Sequence, residues 1–397
     1  MKKSLGDLPA EALAGKRALV RVDYNVPLED GCVADATRIE ASLPTLRWLL
    51  ERDARPVLLS HLGRPRGQPD PEFSLAPVAA ALDGLIDADV RFIPECDGER
   101  ALAGSRELAE GAILVLENTR FVPGETSNNA AVARGFAALG DLFVSDAFGS
   151  LHRAHASTVG VTAYLRPAVA GLLVERELEA LGSLRESPGR PFIVAFGGAK
   201  ISDKIELLDA FIERADRLLV GGAMANTFFA AQGLETGRSL VETEAIDDAR
   251  EILDRAGEML RLPRDLLVTA DSRDPDSEIR EVPADSIPAD MAALDIGSGT
   301  REDFAAAIEG AGAFFWNGPM GRFEDRRFAA GTFGLAEAAA RATAAGAFTV
   351  IGGGDSAAAV RAADLYDAVS HVSTGGGASL EFLAHGTLPG IEALDDR

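Results

Sequence analysis

Beyond residue 16 the chain contains two lysines, Lys200 and Lys204, placed four apart just after Phe196-Gly197-Gly198-Ala199. Of its 39 basic residues, 34 are arginine. Wherever a basic group was merely needed, arginine was used, so a lysine pair retained at one place points to a task that a guanidinium meets poorly. An ammonium is a compact charge on a thin, flexible stem, suited to a phosphate that moves during a reaction. Four apart on a helix, two ammonium groups share one face, an unfavourable pair unless an anion sits beside them.

A second set of groups recurs at the ends of apolar runs. Asp23 and Asn25 follow Val20-Arg21-Val22, and Ser60-His61-Leu62-Gly63-Arg64-Pro65 follows Val57-Leu58-Leu59. Further on, Asn118-Thr119-Arg120 follows Leu116-Glu117, and Asp146 opens a stretch with His152, Arg153 and His155. With Arg38 they form a basic cluster suited to a small ligand with two anionic groups and a hydroxyl, because planar guanidinium forks hold carboxylate or phosphate by paired hydrogen bonds. Taken singly, each arginine is better read as a surface ion-pair partner and each histidine as a turn residue. Their recurrence at several strand ends favours binding.

A third set is glycine-rich: Gly197-Gly198, Gly221-Gly222, Asn317-Gly318-Pro319-Met320-Gly321, Gly352-Gly353-Gly354-Asp355-Ser356 and Thr374-Gly375-Gly376-Gly377. Each follows an apolar run, and most open a helical pattern. Amides at helix starts, free of Cβ crowding, cradle phosphates. Tight packing explains any one glycine pair; five such turns and two lysines favour a phosphate-rich ligand. Asp355 is placed to hold Mg2+ through one carboxylate while a nucleotide supplies phosphate oxygens. The loose GxGxxA pattern at Gly352 is followed by no acidic residue at the next strand end, which disfavours a nicotinamide dehydrogenase. No GxxxxGK[ST] loop is present.

The elements that must position these groups are short apolar strands spaced by helices. Ala18 to Val22, Pro56 to Leu59, Val90 to Ile93, Ile113 to Leu116 and Leu142 to Ser145 form one series. Phe192 to Phe196, Leu218 to Val220, Leu266 to Thr269, Ala313 to Trp316, Phe348 to Ile351 and Ala368 to Ser373 form another. Such runs predict parallel sheets covered on both faces, and ligands in open sheets bind beyond the strands' carboxyl ends. The expectation is an α/β protein with two doubly wound, Rossmann-like domains joined by a helix and an interdomain cleft. The first domain spans residues 1–168, the linking helix 169–187 and the second domain 188–385. The alanine-rich stretch from Phe328 to Phe348 reads as an amphipathic helix.

Length and composition agree. A chain of 397 residues suits two domains. A net charge of -23 argues against nucleic-acid partners, whose phosphates demand excess basic charge. Two cysteines, Cys32 and Cys96, without CxxC spacing suggest neither disulfides nor zinc, and fit a reducing cytoplasmic setting. No run reaches the roughly 20 apolar residues of a membrane span, and the residues after Lys2 and Lys3 break any signal-like region.

These segments together resemble the phosphoglycerate kinase family, most specifically in Asp146-Ala147-Phe148-Gly149-Ser150-Leu151-His152-Arg153-Ala154-His155-Ala156-Ser157. The resemblance runs through both expected domains in order. It implies that Asp23, Asn25, Arg38, His61, Leu62, Gly63, Arg64, Arg120 and Arg153 bind 3-phosphoglycerate or 1,3-bisphosphoglycerate. Arg38 and Lys200, with amides at Gly353, Gly354, Gly375 and Gly376, would meet the transferred phosphoryl group. For MgATP or MgADP it implies Lys204, Asn317, Glu324, Gly353, Gly354, Asp355 and Ser356, with Asp355 on the metal. It further implies a cytoplasmic, hinge-bending monomer whose final residues, 386–397, return to the first domain.

Departures from the family pattern are few: Tyr24 for Phe, Ala223 for Gly, Arg176 for Lys, Ser298-Gly299 for Pro-Lys, and Arg322 for Val beside the expected nucleoside pocket. None removes a catalytic group. The competing reading is a nucleotide-responsive scaffold that keeps the fold without activity. Arg38, Lys200, Lys204 and Asp355 together favour the enzyme, since a scaffold needs no group aimed at a moving phosphoryl.

Overall fold

A strand apolar along its whole length has no face to give to water, so it must be covered on both sides. In the computed structural model, which describes residues 2–65 and 67–397, this arrangement occurs twice. The chain divides into two compact units, Met1–Glu179 with Thr387–Arg397, and Ala180–Gly386.

The first unit contains β1 (Arg17–Val22), a hairpin of β2 (Leu28–Glu29) and β3 (Cys32–Val33), then β4 (Arg55–Leu59), β5 (Asp89–Ile93), β6 (Ala112–Leu116), β7 (Leu142–Asp146) and β8 (Ala168–Ala170). Its helices are α1 (Thr37–Leu50), α2 (Ala76–Asp83), α3 (Glu99–Arg106), α4 (Ala130–Ala137), the start of α5 (Leu172–Glu186), which crosses the unit boundary, and a short helix, Pro389–Glu392, near the C-terminus. The sheet order is β5-β6-β4-β1-β7-β8, parallel throughout. From β1 the chain winds towards β4, and from β7 it winds towards β8, so the direction of winding reverses between β1 and β7. Val20, Val22, Leu58, Ile113 and Val144 lie in a core shared with Leu43, Leu46 and Leu49 of α1. The chain's last residues belong to this unit: Gly390 N–H donates to Leu151 O at 2.9 Å, and Lys3 N–H to Asp395 O at 2.8 Å.

The second unit carries β9 (Phe192–Phe196), β10 (Arg217–Val220), β11 (Leu260–Arg261), β12 (Asp265–Thr269), β13 (Ile279–Pro283), β14 (Ala292–Ile296), β15 (Ala313–Asn317), β16 (Phe348–Gly352) and β17 (His371–Val372). Its helices are α6 (Ile205–Ile212), α7 (Met224–Ala231), α8 (Ile246–Ala256), α9 (Ser298–Glu309), α10 (Ala330–Ala344), α11 (Gly354–Ala362) and α12 (Gly377–His385). The parallel sheet runs β11-β10-β9-β15-β16-β17 and reverses its winding between β9 and β15. Two doubly wound sheets were expected and are present.

Two expected strands turned out differently. The run Leu266 to Thr269 lies in β12, which belongs to a separate antiparallel sheet, β13-β12-β14. Its residues Leu266 and Val268 are buried while Asp265 and Leu267 are only partly so, the alternation of a strand covered on one face. The run Ala368 to Ser373 contracts to β17, because Tyr366–Ala368 coil into a 3-10 turn.

Candidate active site

In the first unit, the groups of interest lie beyond the carboxyl ends of β1, β4, β6 and β7. Their foundation is one residue, Arg21, fully buried near the carboxyl end of β1. Its Nε donates to Ser157 Oγ at 2.9 Å, one Nη donates to Val22 O, and the other lies 3.2 Å from His61 Nδ1. Ser157 in turn donates through its N–H at 3.0 Å and its hydroxyl at 2.5 Å to the buried carboxylate of Glu125. A buried guanidinium is tolerable only when bonded and balanced in this way.

That network fixes the state of His61. Burial, reinforced by the charges of Arg21, Arg120, Arg38 and His155, holds its imidazole well below the usual histidine range, so the ring is neutral. Arg21 donates to Nδ1, which leaves the proton on Nε2, free to donate to a ligand. His155 is held down to about 4, again chiefly by burial and then by the arginines around it.

Arg120 sits on the 3-10 turn Thr119–Phe121, capped by Asn118, whose Oδ1 accepts the Arg120 N–H at 3.0 Å. Asn118 Nδ2 donates to Leu62 O at 2.7 Å and to Phe73 O at 2.9 Å, tying this turn to the segment after β4. Arg120 donates to Gly63 O at 2.5 Å. Its pKa is lowered to about 10 by burial and by the like charges of Arg153 and Arg21. Crowded cations of this kind are relieved by an anion. Across from them, Arg38 Nη1 lies 2.9 Å from Asp23 Oδ2, and Asn25 Oδ1 accepts the Gly63 N–H at 2.8 Å. Arg64 and Arg153 are exposed, the latter donating to His152 Nε2 at 2.9 Å. Asp23, Asn25, His61, Leu62, Gly63, Arg64, Arg120 and Arg153 therefore fall at the carboxyl edge of one sheet or on the loops that follow its strands, and Arg38, in the first turn of α1, joins them through Asp23.

In the second unit, the turns after β9 and β15, which flank the winding reversal, are bonded to each other. Gly197 N–H donates to Asn317 O at 3.0 Å, and Gly198 N–H donates to Pro319 O at 2.9 Å. Lys204 joins the same pair, donating from Nζ to Gly197 O and lying 3.5 Å from Asn317 O. Burial lowers its pKa to about 8 against the opposing pull of Asp203 and Asp355. The two lysines do not share a helix face. Lys200 lies in the loop, and Lys204 is the residue before α6 begins. Glu242 fastens that loop, its Oε2 accepting the Ile201 N–H at 3.0 Å and the Ser202 N–H at 3.1 Å.

Glycines open two further helices at this edge. Gly353, with φ 90°, caps α11, and Gly376, with φ 53°, caps α12. A Cβ on Gly353 would lie 2.8 Å from Asn317 Nδ2. Asn317 and Ser356 are buried, and the Ser356 hydroxyl oxygen accepts the Gly318 N–H at 2.7 Å. Gly354 and Asp355 are exposed in the first turn of α11.

A cavity of about 340 Å³ opens here, lined by Gly198, Ala223, Leu240, Leu294, Glu324 and Asp355 among others. Its wall includes Arg322, whose Nη1 donates to Ser272 Oγ at 2.9 Å. Its floor includes Asp295, a carboxyl raised to about 7 by burial although the N–H groups of Gly331 and Ile296 bind it. Of the residues expected at a nucleotide, Glu324 and Asp355 line this cavity, and Lys204, Asn317 and Ser356 brace the turns beside it.

Arg21, Glu125 and Asp295 escaped the sequence reading. For Arg21 a signal existed, a charge inside a run expected to be buried on both faces. For Glu125 none did, because its partner lies 32 residues away.

Comparison with known proteins shows which chains this one is similar to. The sequence model of the phosphoglycerate kinase family matches residues 8–386. A phosphoglycerate kinase of Desulforudis audaxviator is 53% identical over 400 residues, covering 100% of both chains. One from Thermus thermophilus is 54% identical over 385 residues, with 96% of this chain and 97% of the relative covered. The solved phosphoglycerate kinase of Coxiella burnetii superposes with a TM-score of 0.87 at 39% identity, covering 99% of this chain and 98% of that one. That of Pyrococcus horikoshii gives 0.87 at 32% identity, with the same coverage.

Proposed function

The chain belongs to the phosphoglycerate kinase family, and from that premise we propose which of its residues carry the reaction. The enzyme transfers a phosphoryl group reversibly between the acyl phosphate of 1,3-bisphosphoglycerate and ADP, giving 3-phosphoglycerate and ATP in glycolysis. Such transfer needs positioning and charge stabilisation, not a covalent intermediate.

The first unit is the phosphoglycerate half. Arg64, Arg120 and Arg153 hold the anionic ends of the substrate, with the neutral His61 as an Nε2–H donor. Asp23 and Asn25 bind its hydroxyl, and Leu62 and Gly63 shape the floor. Arg38, held by Asp23, faces the transferred group. The second unit is the nucleotide half. Lys204 binds nucleotide phosphates, the amides opening α11 and α12 at Gly353, Gly354, Gly375 and Gly376 stabilise equatorial oxygens, and Lys200 follows the moving phosphoryl. Glu324 takes the ribose hydroxyls. Ser356 keeps the Gly318 turn in place for Asn317 to meet a phosphate.

Mg2+ fits the donor set. Among the described residues no group of three or more His, Cys, Asp or Glu converges as a self-sufficient metal site. One exposed carboxylate, Asp355, beside a nucleotide cavity suits an ion that completes its shell with phosphate oxygens and water. When bound, it neutralises phosphate charge. Because each half-site has its own unit, transfer requires the two to close about α5, which also removes water from the acyl phosphate. The protein acts in the cytoplasm as a monomer, with no nucleic-acid or membrane partner.

The observation that carries the assignment is Lys204 bonded across the winding reversal of the second sheet, where open α/β sheets bind ligands. The decisive experiment is a coupled assay of purified protein with 3-phosphoglycerate and MgATP. Turnover that saturates in both is expected, and none above background would overturn the reading.

A further inference from the structure

Glu242 is an acid bonded to a loop assigned to anions. Its charge opposes that of any phosphate held nearby, and the function just described gives it no task.

Both of its carboxylate oxygens are engaged with one turn. Oε2 accepts the Ile201 N–H at 3.0 Å and the Ser202 N–H at 3.1 Å, and Oε1 accepts the Ser202 hydroxyl. Burial opposes the charge, yet these bonds and the ammonium of Lys200 outweigh it, and the carboxyl stays below its ordinary range. With its donors all drawn from one turn, the carboxylate serves as a clamp on the loop.

The clamp is itself fixed from behind. Glu242 N–H donates to the hydroxyl of the buried Thr227 at 3.1 Å, and the buried Asn226 donates from Nδ2 to Leu240 O at 3.2 Å. Asn226 and Thr227 belong to α7, whose first residue, Met224, donates its N–H to Gly198 O at 3.0 Å. One helix therefore holds the loop at both sides of Lys200, directly at Gly198 and, through Glu242, at Ile201 and Ser202. Lys204 is tied separately, to the carbonyls of Gly197 and Asn317, and its hold does not depend on Glu242.

From this arrangement we propose that Glu242 is a positioning residue for phosphoryl transfer: it touches no substrate and fixes the backbone from which Lys200 reaches the moving group. The inference rests on the role of Lys200 proposed above. Without the clamp Lys200 keeps its charge and its length, but its base moves with the turn. A misplacement of about 1 Å at a reacting group can cost about 10²-fold in rate. Lys204 keeps its own carbonyls, so nucleotide binding is spared.

The test is a cycle of the parent, Glu242→Ala, Lys200→Ala and the double variant, each assayed for kcat and both KM values. The Glu242 side chain is only partly buried, so its truncation leaves the core intact. Glu242→Ala is expected to lower kcat by about 10²-fold while the KM values for MgATP and 3-phosphoglycerate stay near the parent's. In the Lys200→Ala background the same change is expected to cost nothing further, because residues that act as one unit are not additive. A purely structural role instead lowers the thermal midpoint and makes the two losses multiply. Losses that multiply, or a Glu242→Ala variant with parental kcat beside an impaired Lys200→Ala, would overturn the proposal and leave the role of Lys200 standing. A Lys200→Ala variant with parental kcat would overturn both. Glu242→Gln, which keeps one accepting oxygen, repeats the cycle with less disturbance of the turn and is expected to show the same lack of additivity at a smaller loss.

Discussion

Lys204 Nζ lies 3.5 Å from the carbonyl oxygen of Asn317 and also donates to that of Gly197, so one ammonium spans the ends of the two strands between which the second sheet reverses its winding. Those carbonyls hold the amine in place before any ligand arrives, and burial lowers its pKa to about 8. A nucleotide phosphate has the opposite effect, because an anion favours the charged form. Near pH 8.5 the free lysine is therefore mostly neutral and the liganded one charged. MgATP binding at that pH should take up protons, read as binding heats that vary with the ionisation heat of the buffer.

Lys204→Ala should abolish that uptake and weaken MgATP by about 1.5–3 kcal/mol, the range for a hydrogen bond to a charged group. The affinity for 3-phosphoglycerate should stay near that of the parent. Unchanged ATP affinity would remove Lys204 from the phosphate site.

In the first unit the corresponding relationship is the 2.9 Å contact of Arg38 with Asp23. Arg38→Ala should lower kcat by about 10²–10³-fold, the usual loss of a transition-state donor, and leave nucleotide affinity alone. Asp23→Asn should give a milder loss shared between kcat and the KM for 3-phosphoglycerate, since it frees Arg38 and alters the contact to the substrate hydroxyl. Weakened ADP binding in Arg38→Ala would reverse the assignment of the two units.

Gly353 tests the glycine argument at the position where geometry is most restrictive. With φ at 90° and Asn317 Nδ2 at 2.8 Å from a Cβ, Gly353→Ala incurs both backbone strain and a clash. Strain of this kind costs about 1–3 kcal/mol. The denaturation midpoint should fall, and the KM for MgATP should rise, because Asn317 and the α11 amides move together. A variant with parental stability and KM would show that the turn yields freely.

How much of this was legible in the sequence depends on the range of the cause. The strand ends bearing Asp23, His61 and Arg120, and the glycine turns, were readable because apolar runs and turn residues are local signals. The antiparallel setting of β12 was not, because Leu266 to Thr269 is apolar like its parallel counterparts and only its partners β13 and β14 distinguish it. The lysine spacing suggested one helix face, whereas α6 starts just after Lys204. Arg21 and Glu125 owe their role to Ser157, 136 and 32 residues away respectively, a pairing that only folding creates.

Asp146 gives a pH prediction with a definite sign. Its carboxyl ends β7 beneath the start of α5, accepting the Leu173 N–H at 3.0 Å, and burial raises its pKa to about 7 from an ordinary 3.8. Between those values the folded state holds more protons than the unfolded one, so this group lowers stability as pH rises from about 4 to about 7. Asp146→Asn keeps an oxygen that accepts the N–H and removes the buried charge. The variant should match the parent near pH 4 and gain on it up to pH 7 in denaturant midpoints. A difference constant with pH would contradict the assignment.

Lys200 returns the argument to composition. It is exposed, on a loop fastened by Glu242 to the N–H groups of Ile201 and Ser202, so its anchor is rigid while its stem is free. A fixed base and a mobile ammonium suit a phosphoryl group that changes owner, since the charge can follow over the short path between donor and acceptor. An arginine there keeps the charge but carries a broad planar fork that prefers one bidentate pose. If the role is to follow the phosphoryl, Lys200→Arg should reduce kcat by about 10²-fold or more, as expected for a lost transition-state contact. Both KM values should stay near the parent's, and Lys200→Ala should be no worse than a further few-fold. If the role is only to lend positive charge to the cleft, Lys200→Arg should be fully active and Lys200→Ala should raise the KM for ATP. The two variants measured together separate a charge that moves with the reaction from one that merely attracts the nucleotide.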